Sequence, residues 1–398
     1  MHLPYPLLVA IIAWMVPTTG ACLYLLLLTC LSGRGATPGR ATRTPFFDVI
    51  VPAHNEASGI RDTVSNLRQL DWPAERFRVV VIADNCSDET ARVAREAGAL
   101  VIERQDAVLR GKGYALDHIF KWSRADGKAD AVVVVDADSK ASANLLQSFA
   151  SRLELGDHAT QAHYGVLNPS ASWRTRLMTI ALGAIHRLRS RARERLGLSC
   201  GIRGNGWCVT HALLDAIPYK AYSLTEDVEF GVDMGLAGYR VAYCDEASVD
   251  GEMVTTASAA GSQRQRWESG RLGLIRSRVP PLLGRTITAR SLVCLDLALD
   301  LLILPLSYIV LSAAVLLAIA IALALTSPTT LQLTVLWVGI ANAAALAAYV
   351  CRGWALSGIG LEGFWDLLRV PAFIGWKLVL LVSGPKTTTW IRTRRERS

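Results

Sequence analysis

No two of the eight cysteines stand in a CxxC pair, and Cys22, Cys30, Cys294 and Cys351 lie in or beside apolar runs. That spacing argues against both a disulfide framework and a zinc site. No GxGxxG follows the first apolar strand, so a nicotinamide or flavin dinucleotide is not favoured. GxxxxGK[ST] is absent, which removes a Walker-type phosphate loop. The N-terminal apolar run has no AxA-like site behind it and is too long for a signal peptide. Basic residues do not alternate with aromatics in a stripe, so no nucleic-acid partner is indicated.

What is present is apolar and unevenly spread. Charged residues make up only 19% of the 398 positions, hydrophobic residues 51%, and mean hydropathy is +0.29. The excess sits in 7–31 and 292–350, whereas 44–290 has the composition of a soluble domain. The chain therefore divides into 1–43, an apolar helix and basic linker; 44–290, a globular domain; and 291–398, apolar and interfacial helices with a basic tail. The net charge of +8 clusters beside the apolar runs, at Arg34, Arg40 and Arg43, at Arg264 to Arg290, and at Lys386 to Arg397. Under the positive-inside rule this sets the globular domain and the tail in the cytosol and the N-terminus outside.

About 20 apolar residues cross a bilayer. Residues 7–31 fit one span, bent at Pro17; 296–325 fit a second, with an interfacial lead-in holding Asp296 and Asp300; 331–350 fit a third. The short apolar piece Val370–Leu381 contains Lys377 and lies between Pro371 and Pro385. It reads as re-entrant or interfacial, because a full crossing would place TRRERS outside. The expectation is a multi-pass plasma (inner) membrane protein with three spans, or four if that piece crosses.

Within 44–290, apolar strands alternate with helical stretches. FFDVIV leads to a helix over 58–69, FRVVVIAD to one over 88–97, and ALVIER to a helix opening after Gly111. AVVVVDADS then closes on two aspartates. The pattern predicts an α/β fold with a doubly wound, mostly parallel sheet. Such sheets bind ligands beyond the carboxyl ends of their strands. His54-Asn55-Glu56, Asp84-Asn85 and Asp136-Asp138 all fall there. Alternate residues of a strand share a face, so Asp136 and Asp138 suit one hard divalent cation, Mg2+ or Mn2+, bound together with phosphate oxygens. A solvated turn is the competing reading. Gly111-Lys112-Gly113 permits backbone and an ammonium to approach phosphate, although that tripeptide is common in loops.

Six motifs stand in order: VPAHNEA (51–57), ADNCSDET (83–90), GKGYAL (111–116), VDADS (135–139), LTEDVEF (224–230) and QRQRW (263–267). Together they resemble the membrane-integrated branch of the family 2 glycosyltransferases, which includes hyaluronan, chitin-oligosaccharide, cellulose and poly-N-acetylglucosamine synthases. The resemblance covers 44–290 and the flanking membrane layout. It implies a glycosyltransferase A-type fold and an inverting transferase using a nucleotide-diphosphate sugar, most often UDP-linked, with a divalent metal.

Carried onto this sequence, the resemblance implies that Pro52, Ala53 and Glu56 line the nucleoside pocket and Asp84 bonds the base. Lys112 would lie near the diphosphate, Asp136 near the nucleotide and donor sugar, and Asp138 on the metal. Asp227 would be the general base, beside Glu226 on the acceptor side. Gln263, Arg266 and Trp267 would close the site, Arg266 towards the diphosphate and Trp267 against the acceptor. Simpler readings compete: Glu226 and Asp227 as acids at a helix start near Val228, Trp267 as an interfacial anchor, and His54 and His186 as packed residues.

Two segments have no family motif. Residues 186–195 place an arginine at every second position from Arg187 to Arg195. On a helix they read as a cationic surface for headgroups or an extended acceptor, or as a solvated face. Residues 198–209 hold Gly204-Asn205-Gly206, with Trp207 as a sugar contact.

The expected activity is polymer synthesis: sugar added to a growing exopolysaccharide, with membrane lipids around the chain and export partners beside it. The alternative is one sugar added to a lipid acceptor such as diacylglycerol, ceramide or a polyprenyl-linked sugar. A catalytically dead scaffold and a nucleotidyltransferase are the remaining readings. The first conflicts with the retained Asp84, Asp136, Asp138 and Asp227, and the second has no use for QRQRW beside the bilayer.

Overall fold

The computed structural model describes residues 5–255, 257–326, 328–372 and 375, with backbone alone at residue 5 and over 257–269. The side chains of Gln263, Arg266 and Trp267, most of Val370–Leu381 and the basic tail lie outside the described residues.

The first helix, α1 (Tyr5–Leu31), leads through a basic linker to β1 (Phe47–Ala53). From there strands and crossover helices alternate: α2 (Ile60–Leu67), β2 (Phe77–Asp84), α3 (Thr90–Glu96), β3 (Leu100–Arg104), α4 (Lys112–Asp126) and β4 (Ala131–Val134). β1, β2 and β4 are runs of apolar residues because helices cover both faces of the sheet. Val49, Val51, Val79 and Val81 point to one layer, with Ile60, Val64 and Phe149. Ile50, Val80 and Ile82 point to the other, with Leu116, Ile119 and Phe120.

The chain continues through β5 (Ser139–Ala141), α5 (Leu145–Glu154) and β6 (Ala159–Val166). Next come α6 (Trp173–Leu182), a π-helical turn over 183–188, α7 (Arg189–Arg195), β7 (Trp207–Thr210), α8 (His211–Ala216), α9 (Glu226–Leu236) and β8 (Ala242–Gly251). The sheet order is β3-β2-β1-β4-β7-β6-β8-β5. β3, β2, β1 and β4 are parallel, as the βαβ pattern requires. Beyond β4 the sheet is mixed: β7 runs antiparallel to β4 and β6, and β5 antiparallel to β8. β6 and β8 again pair in parallel, so the expected mostly parallel sheet is borne out, with the antiparallel pairings confined to this half. β5 and β7 are three and four residues long, too short for an alternation to show their direction.

The remaining helices are α10 (Ala257–Thr288), α11 (Leu292–Leu302), α12 (Leu306–Thr326), α13 (Thr330–Ser357) and α14 (Leu361–Asp366). Among the described residues three helices are long and apolar enough to cross a membrane: 6–31 of α1, α12 and α13. Ile303 leaves the helical conformation ahead of Pro305, so the predicted second span divides into α11, the lead-in, and α12. Arg352 of α13 donates to Ser32 Oγ at 3.0 Å, which brings the C-terminal ends of α1 and α13 together.

The arginines of α7 are not a cationic surface. Arg193 is fully buried and donates to Asp296 Oδ2 at 2.8 Å and to the Tyr24 hydroxyl at 2.7 Å, and it pairs with Asp300 at 2.8 Å. Tyr24 in turn donates to Asp296 Oδ1 at 2.6 Å. Arg189 bonds the Tyr349 hydroxyl at 2.8 Å and Asp300 at 3.3 Å. Arg187 and Arg191 both hold Asp245. The segment is thus a joint between the sheet domain and α1, α11 and α13. One step back, Gly183 meets Gly353 of α13 so closely that a Cβ on Gly183 would lie 2.7 Å from the Gly353 carbonyl oxygen.

Removing one partner of a buried pair strands the other charge and costs about 3–5 kcal/mol. Arg193→Ala should therefore lower stability by about that much, read as a fall in the thermal unfolding midpoint in detergent. An unchanged midpoint would show that the joint contributes nothing to stability.

Candidate functional site

The tips of β1, β2 and β4 converge on one cleft. Asn55 and Asn85 follow β1 and β2 with φ of 56° and 51°. Asparagine enters this left-handed region more readily than most residues. The turns lace together: Asn55 Oδ1 accepts from the Ser87 amide at 2.7 Å, and Asn85 Oδ1 from the Asp106 amide at 2.9 Å. His54 Nδ1 lies 2.8 Å from the Asp84 carbonyl oxygen, a packed brace. Pro52 and Glu56 are half-buried at this edge and Ala53 is buried. His186 is also packed, its ring stacked on Tyr164.

Asp84, at the end of β2, is buried and accepts from Arg104 Nη1 at 2.6 Å. Arg104 also donates to the Leu109 carbonyl at 2.7 Å and so fixes the loop before α4. Sequence reasoning missed this arginine. The signal was the pairing of β2 with β3, which sets Asp84 opposite Arg104.

Beyond β4, Ala137 turns into the core while Asp136 and Asp138 are half-buried on its two sides. The Asp136 amide donates to Asn205 Oδ1 at 3.0 Å, Asn205 Nδ2 to Ser139 Oγ at 2.7 Å, and Ser139 Oγ to Asp138 Oδ1 at 3.1 Å. Asn205, fully buried, is the second residue that sequence reasoning did not single out as a site member. It ties the two aspartates to the Gly204–Gly206 turn, where both glycines have positive φ.

Lys112 opens α4 and reaches into the same place. Its Nζ donates to Asp136 Oδ1 at 2.6 Å and to the Gly204 carbonyl at 3.0 Å, and lies 3.8 Å from Glu226. Glu226 and Asp227 occupy the first turn of α9, where acids are favoured. A Cβ on Gly204 would sit 3.3 Å from Asp227 Oδ2, so that turn runs directly against this carboxylate. The two acids thus stand at a helix start and beside Lys112 and the Gly204 turn at once. Gly270 of α10 abuts Thr225, which carries the helix of the QRQRW segment past the start of α9.

The electrostatics follow from burial and crowding. Burial pushes Glu226 up to about 7, Lys112 pulls it down, and the Asp227 charge adds to the rise. Burial also raises Asp227. Two such neighbours share their titration. Burial opposes the Lys112 charge, but Asp136, Glu226 and Asp227 outweigh this and hold it above the ordinary lysine value.

Among the described residues no group of three or more His, Cys, Asp or Glu side chains could hold a metal. Asp136 and Asp138 nevertheless present hard oxygen donors at one strand tip. That set fits an ion completing its shell with phosphate oxygens and water, as Mg2+ commonly does.

Trp207 is not at the cleft. It is 1% exposed, within the β4–β7–β6 part of the sheet, and packs against Phe120 and Phe230. The expected sugar contact is corrected: Gly206 ends the turn, and the next residue enters β7 pointing inward. Trp207→Ala should cost about 3–5 kcal/mol and lower the unfolding midpoint, whereas Trp207→Phe should keep most of the stability. An alanine variant as stable as the parent would return Trp207 to the surface.

An α/β sheet with a lysine and acidic side chains gathered at its strand tips, bound to apolar helices, defines a membrane-associated transferase-type architecture. The model of the family described as glycosyltransferase like family 2 matches residues 44–270, and the chain belongs to that family. It is 30% identical over 247 residues to a β-monoglucosyldiacylglycerol synthase of Synechocystis sp., covering 58% of this chain and 49% of that protein. It is 25% identical over 236 residues to the probable glycosyltransferase YdaM of Bacillus subtilis, covering 57% of this chain and 55% of that protein. The chain spans about half the length of these curated relatives. A mannosyltransferase of Pyrobaculum calidifontis, solved with GDP-mannose and Mn2+, shares the fold at TM-score 0.53 and 18% identity, over 89% of this chain and 98% of that one. The fold is therefore the glycosyltransferase A type.

The expectation of a polysaccharide synthase does not survive. The relatives matched first are named for making a monoglucosylated diacylglycerol, one sugar on a lipid. Nothing found ties this chain to hyaluronan, chitin, cellulose or poly-N-acetylglucosamine synthases, or to polysaccharide export partners.

Proposed function

We propose that this protein transfers a single sugar, with inversion, from a nucleotide-diphosphate sugar to a hydroxyl of a membrane lipid such as diacylglycerol. The observation that carries the proposal is the meeting of Lys112, Asp136, Glu226 and Asp227 at strand tips whose domain is bolted to three apolar helices. The name and 30% identity of the Synechocystis relative support the lipid acceptor.

In this reading Pro52, Ala53, Glu56 and Asp84 shape the nucleoside pocket, with Arg104 holding the Asp84 carboxylate in place. Lys112 and Asp136 address the diphosphate side. Mg2+ or Mn2+, held through Asp138 with Asp136 beside it, supplies charge stabilisation to the leaving diphosphate; the Mn2+ in the Pyrobaculum structure supports this. Asp227 takes the proton of the attacking hydroxyl, within about 3 Å, as the new bond forms. One base and no covalent carboxylate give single displacement, by the logic worked out for hydrolases. Glu226 and Asp227 remain deprotonated together only above the range where they share a proton. Gln263, Arg266 and Trp267 close the acceptor side, carried on α10. The basic residues after α1 and before α11 support a cytosolic position for the domain at the plasma membrane.

The direct test offers the purified chain in lipid nanodiscs UDP-glucose and other nucleotide sugars with diacylglycerol, and sizes the product. One glycosylated lipid is expected; a ladder of sugars would refute single addition. In the same assay Asp227→Asn should lower kcat by about 10²–10⁴-fold with donor binding within about threefold. The raised carboxylates also set the sign of the pH response. Protonation of these raised carboxylates removes the base, so kcat should fall as pH is lowered. A flat profile from pH 5 to 8 would remove the pair from the chemistry.

A further inference from the structure

The turn at 203–206 supplies the site with more than a bend. Gly204 offers its carbonyl to Lys112 at 3.0 Å, and Asn205 receives the Asp136 amide at 3.0 Å. The Gly206 amide donates to the Val134 carbonyl at 3.0 Å. A Cβ on Gly206 would lie 2.7 Å from Val249, so the turn has no room to slide in that direction. Where this turn rests decides where the Lys112 ammonium and the Asp227 carboxylate stand relative to each other.

Two contacts fix its leading end. The Arg203 amide donates to Gln161 Oε1 at 2.8 Å, and Gln161 Nε2 returns a bond to the Asn205 carbonyl at 2.7 Å. The Arg203 guanidinium reaches Asp300 Oδ2 at 3.3 Å. Asp300 belongs to α11, whose end is held by Arg271 through the carbonyls of Asp300 and Leu301, and the span α12 begins at Leu306. The other Asp300 oxygen is already taken by Arg193 and Arg189. The carboxylate is therefore anchored from behind and presents one oxygen to the turn. Burial works against its charge, but Arg193, Arg203 and Arg189 hold it well below the usual carboxylate range.

We infer that Arg203 is a positioning residue for transfer: clamped by Asp300 of α11, the helix that leads into α12, it sets the Gly204–Gly206 turn against Lys112 and Asp227. The inference rests on the transferase reading above. It adds that the membrane helices determine the geometry of the catalytic turn as well as the protein's location. The nucleoside pocket at β1 and β2 is reached by none of these contacts, whereas Lys112 and Asp136 on the diphosphate side are, so the effect is read first in turnover.

The test compares wild-type protein, Arg203→Ala and Arg203→Lys as full chains in nanodiscs. Hydrogen exchange is read by mass spectrometry on peptides spanning the Asp136 and Gly206 amides. In the alanine variant those amides should exchange about tenfold faster, since local opening frees them. Its kcat should fall about 10–100-fold, as expected when reacting groups shift by about 1 Å, with a smaller fall in the unfolding midpoint than in Arg193→Ala, because Asp300 keeps Arg189 and Arg193. Lysine, which keeps the charge facing Asp300, should recover most of both signals. If the alanine variant does not fold, Arg203→Gln takes its place in the same comparison. Wild-type exchange and wild-type kcat in the alanine or glutamine variant would overturn the inference. So would a loss that follows a lowered midpoint and is not recovered by lysine. If wild-type protein moves no sugar to any lipid, the transferase proposal fails, yet the exchange comparison still decides what Arg203 does to the turn.

Discussion

A guanidinium with no solvent exposure sits between two aspartates and a tyrosine, and the architecture depends on it. Arg193 comes from the sheet domain, Asp296 and Asp300 from the helix before the second span, and Tyr24 from the first span. Burying these charges singly would cost several kcal/mol each, and only mutual pairing offsets that. The domain cannot swing away from its helices without exposing or stranding charge. The close approach of Gly183 to Gly353 adds shape to the same joint, because no side chain can intervene there. Catalytic domain and membrane helices therefore behave as one unit, and the turn beside Asp227 is fixed through Asp300 to the same joint.

The site itself carries an electrostatic tension. Asp136, Glu226 and Asp227 face one lysine, and Asp138 lies one hydrogen-bond chain away. An excess of carboxylate would repel a bare diphosphate. A cleft of this sign would accept an anion only with cationic charge beside it, which the proposed divalent ion at the Asp136–Asp138 tip would supply. The same excess explains why burial and crowding drive Glu226 towards 7. Glu226, the neighbour of the proposed base Asp227, is thereby set near neutral pH, and burial raises Asp227 as well.

The parallel half of the sheet was legible because apolar runs buried on both faces leave a continuous signal, as in VVVIAD and AVVVV. The strand-tip acids were legible for the same reason, since they are the first polar residues after each run. The mixed half was not: β5 and β7 are too short to carry a pattern. Arginine at every second position from Arg187 to Arg195 resembled an exposed cationic face, because sequence does not show that Asp245, Asp296 and Asp300 will pack against it. Trp207 stood beside a glycine turn and so resembled a ligand contact, whereas the strand that follows points it inward. Asp84 was found without Arg104, since the partner is defined only by strand register. In each case the missing information was a tertiary neighbour and not a local preference.

The membrane part also bears on why one sugar and not a chain is the better product. The three spans bury only about a third or less of their most apolar windows, so most of their surface faces outward, as in helices that sit in lipid. Within them, Asn342 donates to Thr19 Oγ1 at 2.9 Å between α13 and α1. A conduit for a hydrated polymer needs a continuous polar lining, and the described faces of α1, α12 and α13 that meet one another are packed with Leu25, Leu316, Ala345 and Leu346. A lipid acceptor needs none of that. In the proposed reaction its apolar tails would stay in the bilayer beside these helices, and only a hydroxyl would have to reach Asp227. An anchor that fixes the catalytic turn relative to the bilayer, without enclosing a passage, suits that acceptor.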